Sequence, residues 1–368
     1  MSQVLKVMVV DDTITYRMIM KKVVETIPGT QVVSTAPNGK LALGKIADDI
    51  PHVVCLDVEM PEMDGLTTLQ HLKQRYPQIA VIMVSGVSRS NANIVMECLN
   101  AGALDFVTKP METNADKARD ALRAELEPML AIIARKLPPA GAPVTPPVAP
   151  PEPVRPHVVA PAPRPAAKPV AFNLASFRPE LLVIGSSTGG PAALTKVLSD
   201  IPKALKIPTL IVQHMPPVFT ASLAAQLTRS SGKKVVEAKE GIELEPGLVV
   251  LAMGGHHMTL QNQGKHYKMA LNEGPRVNEC RPAVDVLFMS VAAAFPQPVL
   301  SVILTGMGRD GANGVDALKR MGRTYCLTQE KESCVVYGMP RAVDEMGLSD
   351  ESLPLNQIGS RIHELCNR

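Results

Sequence analysis

Aromatic residues are scarce in this chain: they make up 3% of its 368 residues, and tryptophan is absent. Proteins that bind single-stranded nucleic acids stack bases on such rings, and nucleic-acid binding also needs a concentrated face of Lys and Arg. The formal net charge is only +3. The composition therefore predicts a protein that has no nucleic-acid partner.

Long hydrophobic runs are absent as well. No apolar segment approaches the roughly 20 residues that a bilayer-spanning helix needs, and residues 1–10 lack the basic region and cleavage signature of a signal peptide. The six cysteines are scattered without a Cys-x-x-Cys pair, which is typical of free thiols in a reducing compartment. We therefore expect a cytoplasmic protein that does not insert into a membrane.

Proline is concentrated in one segment. Thirteen of the 33 prolines lie between Leu137 and Val170, among Ala and Val residues. Such a segment has few amide donors and too little apolar side chain for a core, so we interpret it as a semi-rigid tether; a ligand for a proline-recognition domain is the alternative. This predicts a first domain over 1–125, a connection over 126–178 that holds a helix end and the Pro/Ala-rich linker, and a second domain over 179–368.

Both domains alternate apolar strands with helical stretches, which predicts an α/β fold with two parallel, doubly wound sheets. In the first domain we predict strands at 6–10, 32–35, 53–56, 80–84 and 105–107. In the second domain we predict them at 181–185, 209–213, 248–252, 299–305 and 324–328. Helices are predicted near 15–27, 39–48, 65–75, 90–101, 112–135, 191–200, 217–229, 282–295 and 312–321. The polar stretch around 256–272 fits a hairpin.

Polar side chains follow the predicted strands of the first domain. Asp11 and Asp12 follow the first strand and Asp57 the third, whereas Ser85 ends the fourth and Lys109 follows the fifth. The carboxyl ends of parallel strands meet at one edge of a sheet. Carboxylates gathered there repel one another without a cation, and Mg²⁺ suits a site of few carboxylates, waters and phosphate oxygens. Ordinary loop residues are the alternative for any single position.

This arrangement, with Pro-Glu-Met-Asp-Gly at 61–65, resembles the response-regulator receiver domain, a flavodoxin-like fold, over about 1–125. The resemblance implies that Asp57 accepts a phosphoryl group from a histidine kinase. It implies that Mg²⁺ is held by Asp11, Asp12 and Asp57. The residues that it implies for sensing the phosphate are Ser85, Lys109 and the aromatic switch residue Phe106.

A glycine-rich turn opens the second domain, with the sequence Gly-Ser-Ser-Thr-Gly-Gly at 185–190 between an apolar strand and a helix start. Ser187 fits the Gly-x-Ser-x-Gly pattern of a nucleophile turn, where a helix N-terminus supplies N–H groups to an oxyanion. Ser186 is the rival, one position off the pattern. A loop that binds phosphate or a dinucleotide is the alternative, but it expects an acidic residue after the next strand, where His214 stands.

A serine nucleophile needs a base, and the base needs a residue that orients it. His214 ends a strand on the same predicted edge as Ser187, and a neutral imidazole accepts a proton near pH 7. His256 and His257 compete for this role or line the site. Asp310 follows the fourth strand; turn chemistry would explain it equally, but its place makes it the expected partner of His214. We predict oxyanion donors at the backbone N–H groups of Met307 and Thr188.

The chain order Ser, His, Asp differs from that of the α/β-hydrolases. The segments GSSTGGP, QHMPP, RPAVDVLF, ILTGMGRDG and SCVVYGMPR instead resemble the chemotaxis protein-glutamate methylesterase family, CheB, over about 180–360. The resemblance implies a Rossmann-like domain that needs no cofactor. It implies hydrolysis of glutamate methyl esters, and deamidation of some glutamines, on the cytoplasmic helices of chemoreceptors. The catalytic residues that it implies are Ser187, His214 and Asp310.

Together the two constellations predict a serine esterase that a histidine kinase of a chemosensory array activates by phosphorylation. We hypothesise that the unphosphorylated first domain covers the Ser187 cleft. A phosphorylated binding module with an inactive esterase-like domain is the alternative. A DNA-binding regulator would need a basic helix-turn-helix after the linker, and the sequence offers none.

Overall fold

The computed structural model describes residues 4–110, 114–137, 174–202, 205–264 and 266–367. The first domain has five strands, β1 (Leu5–Val10), β2 (Thr30–Ala36), β3 (Val53–Asp57), β4 (Ala80–Ser85) and β5 (Asp105–Thr108). Its helices are α1 (Ile14–Thr26), α2 (Gly39–Ile46), α3 (Gly65–Arg75), α4 (Arg89–Asn100) and α5 (Ala115–Lys136). The strands pair in parallel in the order β2-β1-β3-β4-β5. The strand order therefore changes direction at β1, because β2 lies on one side of it and β3 on the other.

The second domain has a seven-stranded parallel sheet and a separate hairpin. The sheet strands are β6 (Leu181–Ser186), β7 (Thr209–Gln213), β8 (Val235–Glu237), β9 (Val249–Leu251), β12 (Val299–Ile303), β13 (Thr324–Gln329) and β14 (Glu351–Leu353). The hairpin strands are β10 (His257–Asn262) and β11 (Tyr267–Asn272). The helices are α6 (Gly190–Asp200), α7 (Phe219–Ser231), α8 (Val284–Ala294), α9 (Ala312–Arg320), α10 (Met339–Glu345) and α11 (Leu355–Cys366).

The sheet order of the second domain, β14-β13-β12-β6-β7-β9-β8, puts β6 at its centre. Every residue of β6, β7 and β12 is buried, as expected for strands that helices cover on both faces. The predicted α/β class with two parallel, doubly wound sheets is confirmed, and so is the hairpin. The carboxyl ends of these three central strands form the edge from which Ser187, His214 and Asp310 follow.

Four elements of the second domain were not predicted. β8 and β14 have three residues each and lie at the two edges of the sheet, so they present too short an apolar run to identify. The helices α10 and α11 follow the last predicted strand. Of these, α11 packs against α6, and its buried Ile358 and Ile362 join the core on that face of the sheet.

Helix α4 of the first domain packs against α6 and α7 of the second, so that the two domains share one hydrophobic cluster. At this contact the rings of Phe106 and Phe219 lie 4.5 Å apart between centroids. The predicted tether between Leu137 and Val170 lies outside the described residues, except for Leu137 itself. None of the helices in the described ranges has the length and hydropathy that a bilayer crossing requires.

Two neighbouring residues on α8 make a matched test of this core. Phe288 is fully buried, whereas the side chain of Met289 is 44% exposed. We expect Phe288→Ala to lower the free energy of unfolding by about 3–5 kcal/mol, because it removes a large buried ring and leaves a cavity. Met289→Ala should change it by no more than about 0.5 kcal/mol. Denaturant unfolding of the two variants checks this, and equal losses would contradict the assigned packing of α8.

Candidate active site and acceptor site

Three carboxylates of the first domain meet at the carboxyl edge of its sheet. Asp57 ends β3, Asp11 and Asp12 follow β1, and one ligand atom of each lies within 4.8 Å of the others. The ammonium group of Lys109 reaches two of them, at 2.6 Å from Asp57 Oδ2 and 2.8 Å from Asp11 Oδ2. The edge therefore brings together the acidic cluster and the lysine that the sequence predicts there.

The chemistry of this cluster fits a hard divalent cation. Burial raises the pKa of Asp57 to about 6, although the Lys109 ammonium opposes that shift. Asp11 is buried, and its Oδ2 receives no well-aligned hydrogen bond in spite of the nearby ammonium. Asp12 is exposed to solvent. An all-oxygen set that leaves room for water is the environment that Mg²⁺ prefers.

The two other predicted residues of this domain, Ser85 and Phe106, are also buried. Ser85 ends β4, and its hydroxyl donates to the carbonyl oxygen of Gly86 at 3.0 Å. Phe106 does not face solvent: the residue is 8% exposed, and its ring packs on Phe219 of the second domain. The aromatic residue of β5 is therefore part of the contact between the domains.

The glycine-rich turn forms as predicted between β6 and α6. Gly189 adopts a φ of +75° directly before the first residue of the helix, a conformation that favours glycine. Ser186 is fully buried, and its hydroxyl donates to Gln213 Oε1 at 2.7 Å. The amide of Gln213 in turn donates to the carbonyl oxygens of Ser187 and His214. Ser186 therefore has a structural role, and Ser187 is the serine that lines the cleft.

Two backbone N–H groups beside Ser187 are free to bind an oxyanion. In the described part of the chain, the N–H groups of Thr188 and Met307 have no acceptor. The loop after β12 approaches the serine closely at Gly306, where a β-carbon would stand 2.7 Å from Ser187 Cβ and 2.4 Å from Met339 Sδ. Glycine is therefore required there for Met307 to reach the site.

His214 and Asp310 form a buried pair, with 2.7 Å between Nε2 and Oδ2. Burial alone would lower the pKa of His214, but the hydrogen bonds to Asp310 and to Cys280 raise it to about 9. Burial alone would raise the pKa of Asp310. The hydrogen bond from His214 opposes that effect, and the net pKa of Asp310 lies below its ordinary value. The pair therefore favours an imidazolium beside an ionised carboxylate.

Asp310 is also anchored to the start of α8. Its Oδ2 accepts from the N–H of Val284 at 2.6 Å, and its Oδ1 accepts from the N–H of Asp285 at 3.1 Å and from the Asn278 amide at 2.8 Å. A carboxylate is stabilised at this end of a helix because the N–H groups there carry partial positive charge. These donors fix the carboxylate and, through it, the imidazole ring.

Asp285, on α8, binds the start of the neighbouring helix α9 in the same way. This buried carboxylate accepts from the N–H groups of Gly311 and Gly314 at the start of α9. Asn278 bridges the two carboxylates, since its amide donates to Asp285 Oδ2 at 2.9 Å as well as to Asp310. Sequence reasoning missed Asn278 and Asp285. The acid of Asp285 within the RPAVDVLF segment, and the amide of Asn278 three residues before that segment, were a usable signal.

The two competing histidines bind elsewhere. His256 Nε2 lies 3.1 Å from Glu273 Oε1, and His257 Nε2 lies 2.9 Å from the carbonyl oxygen of Pro275. Neither residue lines the cleft that contains Ser187. His214 is therefore the histidine that the fold places beside the glycine-rich turn. Its backbone N–H donates to the carbonyl oxygen of Ser186.

The second ring nitrogen of His214 does not contact the serine. Within the described ranges, Ser187 makes no hydrogen bond to the ring, and Nδ1 lies 3.3 Å from Cys280 Sγ. Ser187, His214 and Cys280 all line one cleft of about 360 Å³. The structure thus places Ser187 and His214 on one cleft, with the buried Asp310 behind the imidazole, but leaves the serine and the base unpaired.

The first domain forms the opposite wall of this cleft. Its lining residues come from β5 and α5: Asp105, Phe106, Thr108, Ala124, Glu125, Pro128 and Met129. Asp105 also hydrogen-bonds with the side chain of Thr188, the residue after the candidate nucleophile. Burial raises the pKa of Asp105 to about 6, while the bonds from Phe106 and Thr188 oppose that shift. The cleft therefore lies between the two domains.

Comparison with known proteins identifies relatives of both domains. The family model described as CheB methylesterase matches residues 182–362, and the response regulator receiver domain model matches residues 7–121. Proteins named protein-glutamate methylesterase/protein-glutamine glutaminase match 97% of this chain over 97% of their own length, at 37% identity in Trichodesmium erythraeum and 39% in Desulfotalea psychrophila. The crystal structure of the Thermotoga maritima CheB methylesterase catalytic domain is 41% identical, with a TM-score of 0.49, and covers 51% of this chain and 98% of its own.

The buried pair gives a pH-dependent prediction. Asp310→Asn should lower the pKa of His214 from about 9, because burial is then opposed only by the contact with Cys280. Since the pair raises this pKa, its contribution to stability is complete below the unfolded value and is lost as the pH rises through the folded value. The variant should therefore lose more stability at a pH near 6 than at a pH near 10.

Imidazole titration by NMR and denaturant unfolding at both pH values measure these effects. Asp316→Asn is the matched control, because that carboxylate lies on α9 and pairs with Arg320. An unchanged His214 titration in the Asp310 variant would contradict the assigned pair.

Proposed function

The chain belongs to the CheB methylesterase family, and from that premise we propose that it is a serine esterase that removes methyl groups from glutamate side chains and is activated by phosphorylation of its first domain. The observation that carries the proposal is the single cleft that Ser187 and His214 line, with the buried Asp310 behind the imidazole and two free N–H groups beside the serine. These groups supply a nucleophile, an oriented base and an oxyanion site, which are the parts that ester hydrolysis requires.

The positions of the ring nitrogens assign their roles in the proposed reaction. Nε2 of His214 is bound to Asp310, so Nδ1 is the nitrogen that takes the proton from Ser187. The Ser187 oxygen then bonds to the ester carbonyl carbon of the methylated side chain. Asp310 holds the ring in this tautomer and stabilises the imidazolium, because its carboxylate lies beside the ring at 2.7 Å.

Collapse of the tetrahedral intermediate requires an acid. His214 returns its proton to the departing methoxide, which leaves as methanol and makes an acyl-enzyme on Ser187. Water then attacks the acyl carbon, His214 takes a proton from that water, and the proton restores the Ser187 hydroxyl. The same steps applied to a glutamine side chain release ammonia, which fits a glutaminase activity of the same site.

The backbone N–H groups of Thr188 and Met307 are proposed to stabilise the negative charge in both steps. They flank the serine and carry no competing acceptor in the described ranges. A single donor of this kind is worth about 10²–10³ in rate. Gly306 keeps the loop within reach of the serine, as its missing side chain allows.

In the first domain, we propose that Asp57 accepts a phosphoryl group and that Asp11, Asp12 and Asp57 hold Mg²⁺. The metal, when bound, neutralises the charge of the transferred phosphoryl oxygens. Lys109 is within 2.6 Å of Asp57 Oδ2 and would pair with the phosphate. Ser85 and Phe106 are proposed to respond to it, and the source of the phosphoryl group is a histidine kinase of a chemosensory array.

The position of β5 and α5 over the cleft supports an inhibitory role for the unphosphorylated first domain. A tethered domain reaches an effective concentration of about mM, so even a weak contact blocks substrate entry. A tenfold activation requires a coupling free energy of only about 1.4 kcal/mol between the two sites. The substrate is proposed to be the methylated helical region of chemoreceptors, whose access to Ser187 the first domain would obstruct from its position along one wall of the cleft.

Loss of the nucleophile tests the esterase. Ser187→Ala should reduce methanol release from methylated chemoreceptor by at least about a thousandfold, because no other hydroxyl occupies that position. Ser199→Ala is the control on α6, where the hydroxyl donates to the Ser230 carbonyl oxygen. If wild-type protein with a phosphodonor binds receptor but releases no methanol, the chain is a binding module with an inactive esterase-like domain.

Weakening the interdomain contact tests the inhibitory role. Phe106→Ala removes the ring that packs on Phe219, so basal methanol release should rise several-fold and the ratio of stimulated to basal rate should fall. Leu41→Ala, on the exposed side of α2, should leave both rates unchanged. An unaltered basal rate in a correctly folded Phe106 variant would count against the covered-cleft model.

A further inference from the structure

Cys280 contacts the free nitrogen of the candidate base. Its Sγ lies 3.3 Å from His214 Nδ1, and the thiol is partly exposed in the cleft that Ser187 lines. The reaction proposed above needs Nδ1, because Nε2 is bound to Asp310. The thiol therefore occupies the position that the Ser187 hydroxyl must take.

A strained turn holds the cysteine in this place. Val277 and Cys280 exchange backbone hydrogen bonds in both directions, so the turn has two central residues. Those residues, Asn278 and Glu279, have φ values of 50° and 63°. Two such values in succession belong to a turn type that favours glycine and asparagine, so Glu279 is strained.

The same turn contacts both members of the pair. The amide of Asn278 donates to Asp310 Oδ1, and Cys280 meets the imidazole on its opposite edge. Strain of this kind persists only where the surrounding structure imposes it, and it concentrates at functional sites. The turn thus clamps the His214–Asp310 pair from the side of the carboxylate and from the side of the base nitrogen.

We propose that Cys280 is a positioning residue for the esterase, whose thiol holds Nδ1 of His214 in the covered state and yields that nitrogen to Ser187 when the cleft opens. The inference rests on the proposed esterase function. In the covered state, esterase activity would then be inhibited in two ways: the first domain obstructs substrate entry, and the Cys280 thiol occupies Nδ1 of the base. Cys280 needs no chemical change for this role, since only a hydrogen bond is exchanged.

The charged groups around His214 decide the expected effect of removing the thiol. Asp310 bonds to the ring, and Asp285 lies behind it at the start of α8. Glu279 of the turn, together with Asp105 and Glu125 of the first domain, lines the same cleft. These carboxylates remain in a Cys280 variant, so a change in the titration of His214 reports the thiol itself.

The test compares full-length Cys280→Ala and Cys280→Ser with wild type under reducing conditions, without and with a phosphodonor. Removing the thiol should lower the pKa of His214, because the contact with Cys280 helps to raise it. The acid limb of the pH profile of kcat/KM should then move to lower pH in the alanine variant. If that pKa falls by about one, the fraction of neutral base at pH 7 rises about tenfold, and basal methanol release rises with it.

Several controls separate this role from a merely structural one. The stimulated rate near pH 10 should approach that of wild type, because a base whose pKa is about 9 is then about 90% neutral and a base of lower pKa is more so. The pKa of His214 and the basal rate of Cys280→Ser should lie between those of wild type and Cys280→Ala, since the serine hydroxyl keeps a polar group near Nδ1. Cys366→Ala, on α11, should match wild type throughout.

An unchanged acid limb in both Cys280 variants would overturn the proposal, whether or not their rates fall. NMR titration of the His214 imidazole in the same variants makes the decision independent of catalysis. If no variant and no wild-type protein released methanol, the esterase proposal would fail. In that case, an unaltered His214 titration in Cys280→Ala would separately refute the contact with the base.

Discussion

The buried Asp310 carboxylate is the interaction on which the geometry of the second site depends. It accepts hydrogen bonds from the His214 ring, from two N–H groups at the start of α8 and from the Asn278 amide. A buried carboxylate without such donors would be costly and would take up a proton. Because the donors come from the end of β7, from the turn at Asn278 and from the start of α8, this one charge fixes the ring, the turn and the helix relative to one another.

Much of this arrangement could be predicted from the sequence because the rules of parallel sheets are local. An apolar run identifies a strand, and the residue after it lies at the ligand-binding edge. This placed Asp57 in the first domain and His214 and Asp310 in the second without any knowledge of packing. Glycine spacing identified the turn at Ser187 for the same reason, since Gly189 needs its positive φ.

The contacts that tune the site could not be predicted in this way. Gln213, Asn278 and Cys280 act through side-chain contacts across 26 to 66 residues of sequence. Their residue types are common in loops, so no local pattern distinguishes them. The burial of Phe106 against Phe219 depends on how two finished surfaces pack, and the sequence of either domain alone does not encode that choice.

The strand β5 connects the two sites physically. Asp105 at its start touches Thr188 beside the candidate nucleophile, and Lys109 directly after its end contacts Asp57. Lys109 lies four positions after Asp105 along the extended chain, which is a distance of about 13 Å. Phe106 lies between these ends and packs on the second domain. A displacement of β5 that follows Lys109 must therefore also disturb the contact that covers the cleft, since both are carried by one short rigid element.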